Sequence, residues 1–266
     1  MLFRSLYGFD QPFYVQYLRW IGQLLHGNLG FSDKLNLSVA NLIAQDLPKT
    51  IVLVVLGTVV SLAFGIPLGV YQAVHRNSFA DYVLTGISFL GYSTPTFFLG
   101  LVLVDWFAVD THVFPPFAPQ SSSVLAILGD PRALVLPVIT YAFLLYALWS
   151  RYMRSSVLDN LVQDYVRTAR AKGASERQVV WGHVFRNSLV SIVTLLGLSL
   201  PTLVGGAILI EVVFNYPGMG LAFYQAALNN DYEVLLGFTV LATVATVAGN
   251  LLADIGYAAL DPRVRY

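Results

Sequence analysis

The sequence predicts an all-α fold, a polytopic bundle of helices crossing a membrane, and three observations carry the prediction. First, 56% of the 266 residues are apolar and only 11% are charged, against roughly a quarter charged in soluble domains; the mean hydropathy is +0.67. Second, five segments, 50–73, 82–109, 133–150, 189–213 and 234–260, have the apolar length of roughly 18 residues or more that a spanning helix needs. Third, the basic residues fall mostly on one side of these segments. The formal net charge is zero, so orientation rests on where Lys and Arg lie rather than on their sum.

Residues 1–49 contain no run long enough to span and no basic stretch followed by an apolar one of the signal-peptide kind. Asp10 and Pro12 are suited to open a helix in which Phe13, Tyr17, Trp20, Leu24 and Leu25 recur at helical spacing, as expected of a helix lying in the membrane interface. A turn-rich stretch, 27–34, follows. Residues 38–47 form a second short amphipathic segment ahead of the first span. Within that span Gly57, Ser61 and Gly65 recur every four residues, a pattern that lets helices approach closely.

The second span carries Ser93 and Pro95 in the run GYSTPT, and Pro67, Pro137 and Pro201 interrupt other spans. Two readings stand: bent helices lining a pathway, or the ordinary tolerance of membrane helices for proline. Asp105 and Asp254 lie near span ends, where an interfacial position explains them better than a proton relay. Glu211 opens EVVFNYPGMG near the outer end of the fourth span. There Tyr216, Pro217 and Gly218 have the form of a tight turn at the outer surface, either a gate or an interfacial anchor.

The connections are unequal in charge. Arg76, Arg151, Arg154, Arg167, Arg170, Lys172, Arg177, Arg186, Arg263 and Arg265 lie on one side, ten of the fifteen basic residues. The positive-inside rule makes that side, and the C-terminus, cytoplasmic. Residues 1–49 are then external, ahead of any span that would carry them there. This favours an upstream first span that the chain as given does not include, over translocation of an N-terminal tail.

On the cytoplasmic side the longest polar stretch is DYVRTARAKGASERQVVWGHVFRN, residues 164–187. Asp164 reads as a helix N-cap, Gly173 as a C′ stop, and Ser175 with Gln178 as a capping box opening a second helix. A folded polar projection suits docking onto a water-soluble partner; an ordinary loop is the alternative. Chemistry is otherwise scarce. With no cysteine there is no disulfide or thiolate site, and the four histidines lack metal-ligand spacing. No P-loop, GxSxG or HExxH string occurs, and topology accounts for the basic residues without nucleic acid.

Several stretches resemble the permease subunits of binding-protein-dependent ABC importers of the dipeptide, oligopeptide and nickel class. The hallmark of that family is Glu-Ala-Ala, three residues, Gly, nine residues, then Ile-x-Leu-Pro. Here the corresponding positions are Arg167, Thr168 and Ala169, then Gly173, then His183, Val184, Phe185 and Arg186. Only Ala169 and Gly173 match literally, while DYVRTARAKGAS with HVFRNSL is similar to the peptide-class variant. QYLRWIGQLLHGNLGFS, PTFFLGLVL, EVVFNYPGMG and DPRVRY extend the resemblance over nearly the whole chain.

The resemblance implies an external segment, 1–49, and a permease domain, 50–266, in a bacterial or archaeal inner membrane. It implies that 155–187 forms coupling helices contacting an ATPase through Arg167, Thr168, Ala169, Arg170, Lys172, Gly173, Ala174, His183, Arg186 and Asn187. Ser93, Pro95, Glu211, Pro217 and Gly218 are then candidates for the pathway or its gate. The implied partners are a second permease subunit, two P-loop ATPases, an external solute-binding protein and membrane lipid. The chain itself is expected to bind no cofactor, since ATP is used by the partners, and no metal. A non-transporting scaffold and an intramembrane enzyme are the competing readings.

Overall fold

A computed structural model describes residues 11–121, 123–199 and 207–260. Helix α1 (Phe13–Leu25) has no buried residue and exposes Phe13, Tyr14, Leu18 and Leu25. A two-stranded antiparallel hairpin follows, β1 (Phe31–Ser32) and β2 (Leu37–Ser38), with Asn36 in the left-handed region at φ 51°. Sequence alone offers only a turn there, because two-residue strands carry no periodicity.

Helix α2 (Val39–Val74) is capped by Ser38, whose hydroxyl accepts the Asn41 amide. It runs through Pro48 and Pro67, so the segment 38–47 is not a separate helix as expected. Tertiary packing overrides the proline: Val39, Leu42 and Ile43 are buried in one cluster with Met219, Ala226, Val234 and Phe238. At 36 residues the helix is about 54 Å long, well beyond the roughly 30 Å of hydrocarbon.

The second span is not one helix. Helix α3 (Phe79–Ser93) is followed by α4 (Thr96–Val104), which continues into a π-helical turn at Asp105–Asp110, and the two meet at 102°. Pro95 disfavours helical geometry at Thr94, which is extended at ψ 124°, while the Thr94 amide and hydroxyl both return to the Leu90 carbonyl. Among the described residues four helices are individually long and apolar enough to cross a membrane, and five spans result if this bent pair counts as one. Asp105 is exposed at the start of the π-helical turn; Pro201, Arg263 and Arg265 lie outside the described residues.

After the short α5 (Val124–Leu128), Asp130 caps α6 (Pro131–Leu161), with Pro131 placed where its missing N–H costs nothing. Then come α7 (Asp164–Ala171), α8 (Glu176–Gln178), a π-helical turn at Val179–Val184 and α9 (Phe185–Ser199). The last three are consecutive, so the continuous helix that contains the fourth apolar segment begins far earlier than expected, at Glu176, on the polar surface ahead of the span itself. The expected end of that span is a separate helix, α10 (Ile208–Val213), followed by α11 (Met219–Leu228) and α12 (Tyr232–Leu260).

Helix α6 is the buried pillar: 67% of its apolar window is inside the protein, against 22–28% for the other long helices. It lies on the small-residue face of α2. A Cβ added at Gly57 would meet the Tyr141 ring at 2.5 Å, at Gly65 the Trp149 Cβ at 3.0 Å, and at Gly69 the Ser150 carbonyl oxygen at 2.6 Å. Ser61 is buried on the same face. The four-residue spacing thus continues one step past the stretch singled out in the sequence.

Gly69→Val is expected to cost about 1–3 kcal/mol, because the obstructing atoms include backbone, and to lower the melting temperature of the purified protein in detergent. Gly86→Ala, whose added Cβ would meet nothing within 4 Å, serves as the control.

Candidate functional site

The polar stretch 164–187 folds as two helices around a glycine turn. Gln163, in extended conformation, is the N-cap of α7, and Asp164 is its first helical residue rather than the cap. There its carboxylate still complements the helix dipole, and it pairs loosely with Arg167 at 3.7 Å across exposed surface. Gly173 is left-handed at φ 83°. Its N–H donates to the Arg170 carbonyl and that of Ala174 to the Ala169 carbonyl, at 2.9 and 3.1 Å. These two bonds make a Schellman stop, which needs a residue that tolerates positive φ.

The second helix opens on the expected capping box. The Ser175 hydroxyl accepts the Gln178 amide, and the Gln178 side chain accepts the Ser175 amide. Arg170 staples the two helices with a two-pronged ion pair to Glu176, at 2.8 and 3.1 Å. Glu176 stands outside the family pattern, so motif reading passes over it. Hydrogen bonding to Arg170 holds its carboxyl below the ordinary value of 4.5.

What makes the hairpin rigid lies beneath it. Val166, Val179, Val180 and Val184 are buried in the same cluster as Val70, Trp149, Met153, Val157 and Ile192 of the spans. The π-helical turn puts Val179 and Val180 inside while Trp181, Gly182 and His183 face outward. A polar clamp adds to the apolar one: Tyr165 donates to Asn160, whose amide donates to the Ser156 carbonyl and the Ser188 hydroxyl. No sequence signal marks this clamp, since its members are individually ordinary and Ser188, which closes it, lies 28 residues from Asn160.

Of the residues singled out in the sequence, Arg167, Thr168, Arg170, Lys172, Gly173, His183, Arg186 and Asn187 are exposed, whereas Ala169 and Ala174 are half-buried and pack inward. Among the described residues Lys172, Arg177 and Arg186 have no carboxylate partner. The surface is thus basic, preformed and joined to the bundle core.

The second candidate set divides. Ser93 and Pro95 are exposed at the bend between α3 and α4. Glu211, Pro217 and Gly218 meet at a different place, and the turn expected at the surface is buried. Glu211 is fully buried; its carboxylate accepts the Thr50 hydroxyl at 2.7 Å and the Leu221 amide at 3.0 Å. Thr50 in turn accepts the Met219 amide at 2.8 Å. Two side chains from elsewhere therefore cap α11, whose own N-cap is Gly218. A Cβ at Gly218 would lie 2.5 Å from the Thr50 oxygen, and one at Gly220 would lie 2.7 Å from the Ile208 Cα. Tyr216, also buried, donates to the Lys49 carbonyl at 2.7 Å. The motif is a lock between α2, α10 and α11, and its glycines are there because backbone closes around a carboxylate.

The family profile of the binding-protein-dependent transport system inner membrane component matches residues 65–266. The chain belongs to that family. As an inner membrane transport component it is 39% identical over 266 residues to the oligopeptide transport system permease protein AppB of Bacillus subtilis, covering 99% of this chain and 84% of the relative. It is 41% identical over 264 residues to a putative peptide permease protein of Brucella ovis, covering 98% and 83%. Its fold is similar to that of a chain in the MetNI methionine ABC transporter, solved in inward-facing conformations, with TM-score 0.60, 19% identity, and coverage of 80% of this chain and 95% of that one. The broken α3–α4 pair and the folded loop are thus features of an inner membrane transport component.

Because the Glu176 carboxyl is held low, the ion pair contributes fully above the ordinary Glu value of 4.5 and is lost as pH falls below it. Both side chains are exposed, so the effect is small. Hydrogen exchange of amides 170–178, taken relative to the intrinsic amide rate at each pH, is expected to rise up to a few-fold on acidification from neutral pH to below that value. In Glu176→Gln it is expected to be already raised at neutral pH and to change little further.

Proposed function

We propose that the chain is one permease subunit of an ABC importer for peptides or similar small solutes, pairing with a second permease subunit, two P-loop ATPases and an external solute-binding protein. The family match over most of the chain carries the reading, and relatives named as oligopeptide and peptide permeases support the solute class. The basic hairpin faces the cytoplasm by the positive-inside rule, and the C-terminus lies on the same side. Residues 155–187 form the coupling contact. Arg167, Lys172, Arg177 and Arg186 meet acidic groups of an ATPase, and Trp181 and His183 widen the surface.

The chain carries out no chemistry of its own; ATP is bound and hydrolysed by the partners. When the ATPases close, the displaced hairpin carries α2, α6 and α9 with it, because they share one packed core. Two arrangements of a packed core give a switch rather than a gradual deformation. The bend at Ser93 and Pro95 lies in a pair of helices with few buried side chains, which suits the pathway wall.

Reconstituted with its partners, the complex is expected to hydrolyse ATP faster when the binding protein is loaded with peptide. No stimulation by any peptide, with assembly verified, rules out peptide import. For the hairpin, Gly173→Val is expected to weaken ATPase association by about five- to thirtyfold, from the ~1–2 kcal/mol cost of a left-handed conformation. Gly173→Asn, which tolerates that conformation, should retain most of it. Co-purification with the ATPase reads the difference, and since a Cβ here meets nothing within 4 Å, steric clash is not a competing cause.

A further inference from the structure

Between α3 and α6, on the basic side of the protein, lies a cavity of about 340 Å³ whose walls include Ser88, Phe89, Tyr92, Ala147, Arg151 and Arg154. Its polar groups differ in how they are occupied. Arg154 is closed in a two-pronged pair with Asp81, at 3.0 and 2.8 Å. Gln72 is committed at both ends, accepting the Ser150 hydroxyl at 2.7 Å and donating to Thr85 at 3.3 Å. Apart from the hydroxyl of the exposed Tyr92, two groups are left. The Arg151 guanidinium lies over the Tyr92 ring, 5.5 Å from its centroid, and has no carboxylate partner among the described residues. The Ser88 hydroxyl is buried without a hydrogen-bond partner.

We propose that this cavity holds the phosphate headgroup of an anionic membrane lipid, with Arg151 as its cation and Ser88 as a hydroxyl donor. A buried hydroxyl without a partner and an exposed guanidinium without a carboxylate stand beside one cavity, and the oxygens of a single phosphate can accept from both. The remaining wall is largely apolar, and Phe89, Leu90 and Tyr92 continue it onto the exposed face of α3. That gives an amphiphile a place for its chain, which free phosphate would leave empty. Asp81, Ser78 and Arg76 place the site within a few turns of the basic end of α3. On the orientation proposed above, that end faces the cytoplasmic leaflet, where anionic lipids concentrate and basic pockets between helices capture their headgroups.

The test uses the permease assembled with its partner subunits in nanodiscs of equal phosphatidylcholine and phosphatidylglycerol, with retained lipid counted by native mass spectrometry. Phosphatidylglycerol is expected to be retained in preference, and Arg151→Gln to lower that retention about fivefold, the factor typical of one interfacial arginine. Tyr92→Leu, a second variant that removes the ring under the guanidinium, should lower it too, while Arg76→Gln, an exposed arginine on the same side, should not. Equal retention in wild type and Arg151→Gln, or equal retention of the two lipids, overturns the proposal. Displacement by excess inorganic phosphate overturns the lipid assignment in favour of a free anion. The orientation is checked separately: the chain has no cysteine, so Arg76→Cys should react with an impermeant thiol reagent only from the cytoplasmic face. Reaction from outside would refute the orientation whatever the lipid counts are.

Discussion

The approach of α6 to the small-residue face of α2 is the contact on which the remaining structure depends. Gly57, Ser61, Gly65 and Gly69 leave no side-chain thickness between the two backbones, so Tyr141, Trp149, Ser150 and Met153 lie directly against α2. In lipid there is little hydrophobic drive to bring apolar helices together, and close packing of this kind has to supply the association. Helix α6 is consequently buried over most of its length, and each other part of the bundle is placed relative to it.

That placement joins the ends of the molecule differently. Toward the basic side, the residues of α6 beyond Trp149 form one core with the valines of the hairpin, so the exposed arginines sit on a surface with no hinge beneath it. Toward the opposite end, α2 holds α10 and α11 through Thr50 and Glu211. A carboxylate with no exposure is tolerated there because hydroxyl and backbone donors surround it, as buried polar groups require. The pair α3 and α4 is loosely enclosed, bent at Pro95 and with few buried residues. The bundle thus combines a stiff pillar, a stiffly attached hairpin and a bent, loosely enclosed wall, which is the distribution of rigidity that rigid-body gating by an external motor requires.

Much of this was legible in the chain itself. Composition and five apolar runs determined the membrane bundle, because a helix satisfies its own backbone polar groups in hydrocarbon and runs of this length suit spanning helices rather than the shorter strands of a barrel. The Gly173 stop and the Ser175–Gln178 box were readable because capping is local: three to five residues contain the entire interaction. The family pattern, which spans residues close in sequence, was readable for the same reason.

Tertiary structure decided what depends on residues far apart. Whether Pro48 stops a helix was settled by the cluster of Val39, Leu42 and Ile43 with residues about 180 positions later, and whether Pro95 does was settled by the direction α4 takes to pack Gly100 on Val213 and Phe214. Likewise the run opened by Glu211 read as a turn at the outer surface, either a gate or an interfacial anchor, because its local neighbours are turn residues, whereas the partners of Glu211 are Thr50 and an amide in the first turn of α11. Periodicity and caps report the short-range part of the energy. Burial, and the pairing of a buried charge, are properties of the assembled bundle, so only the fold could assign them.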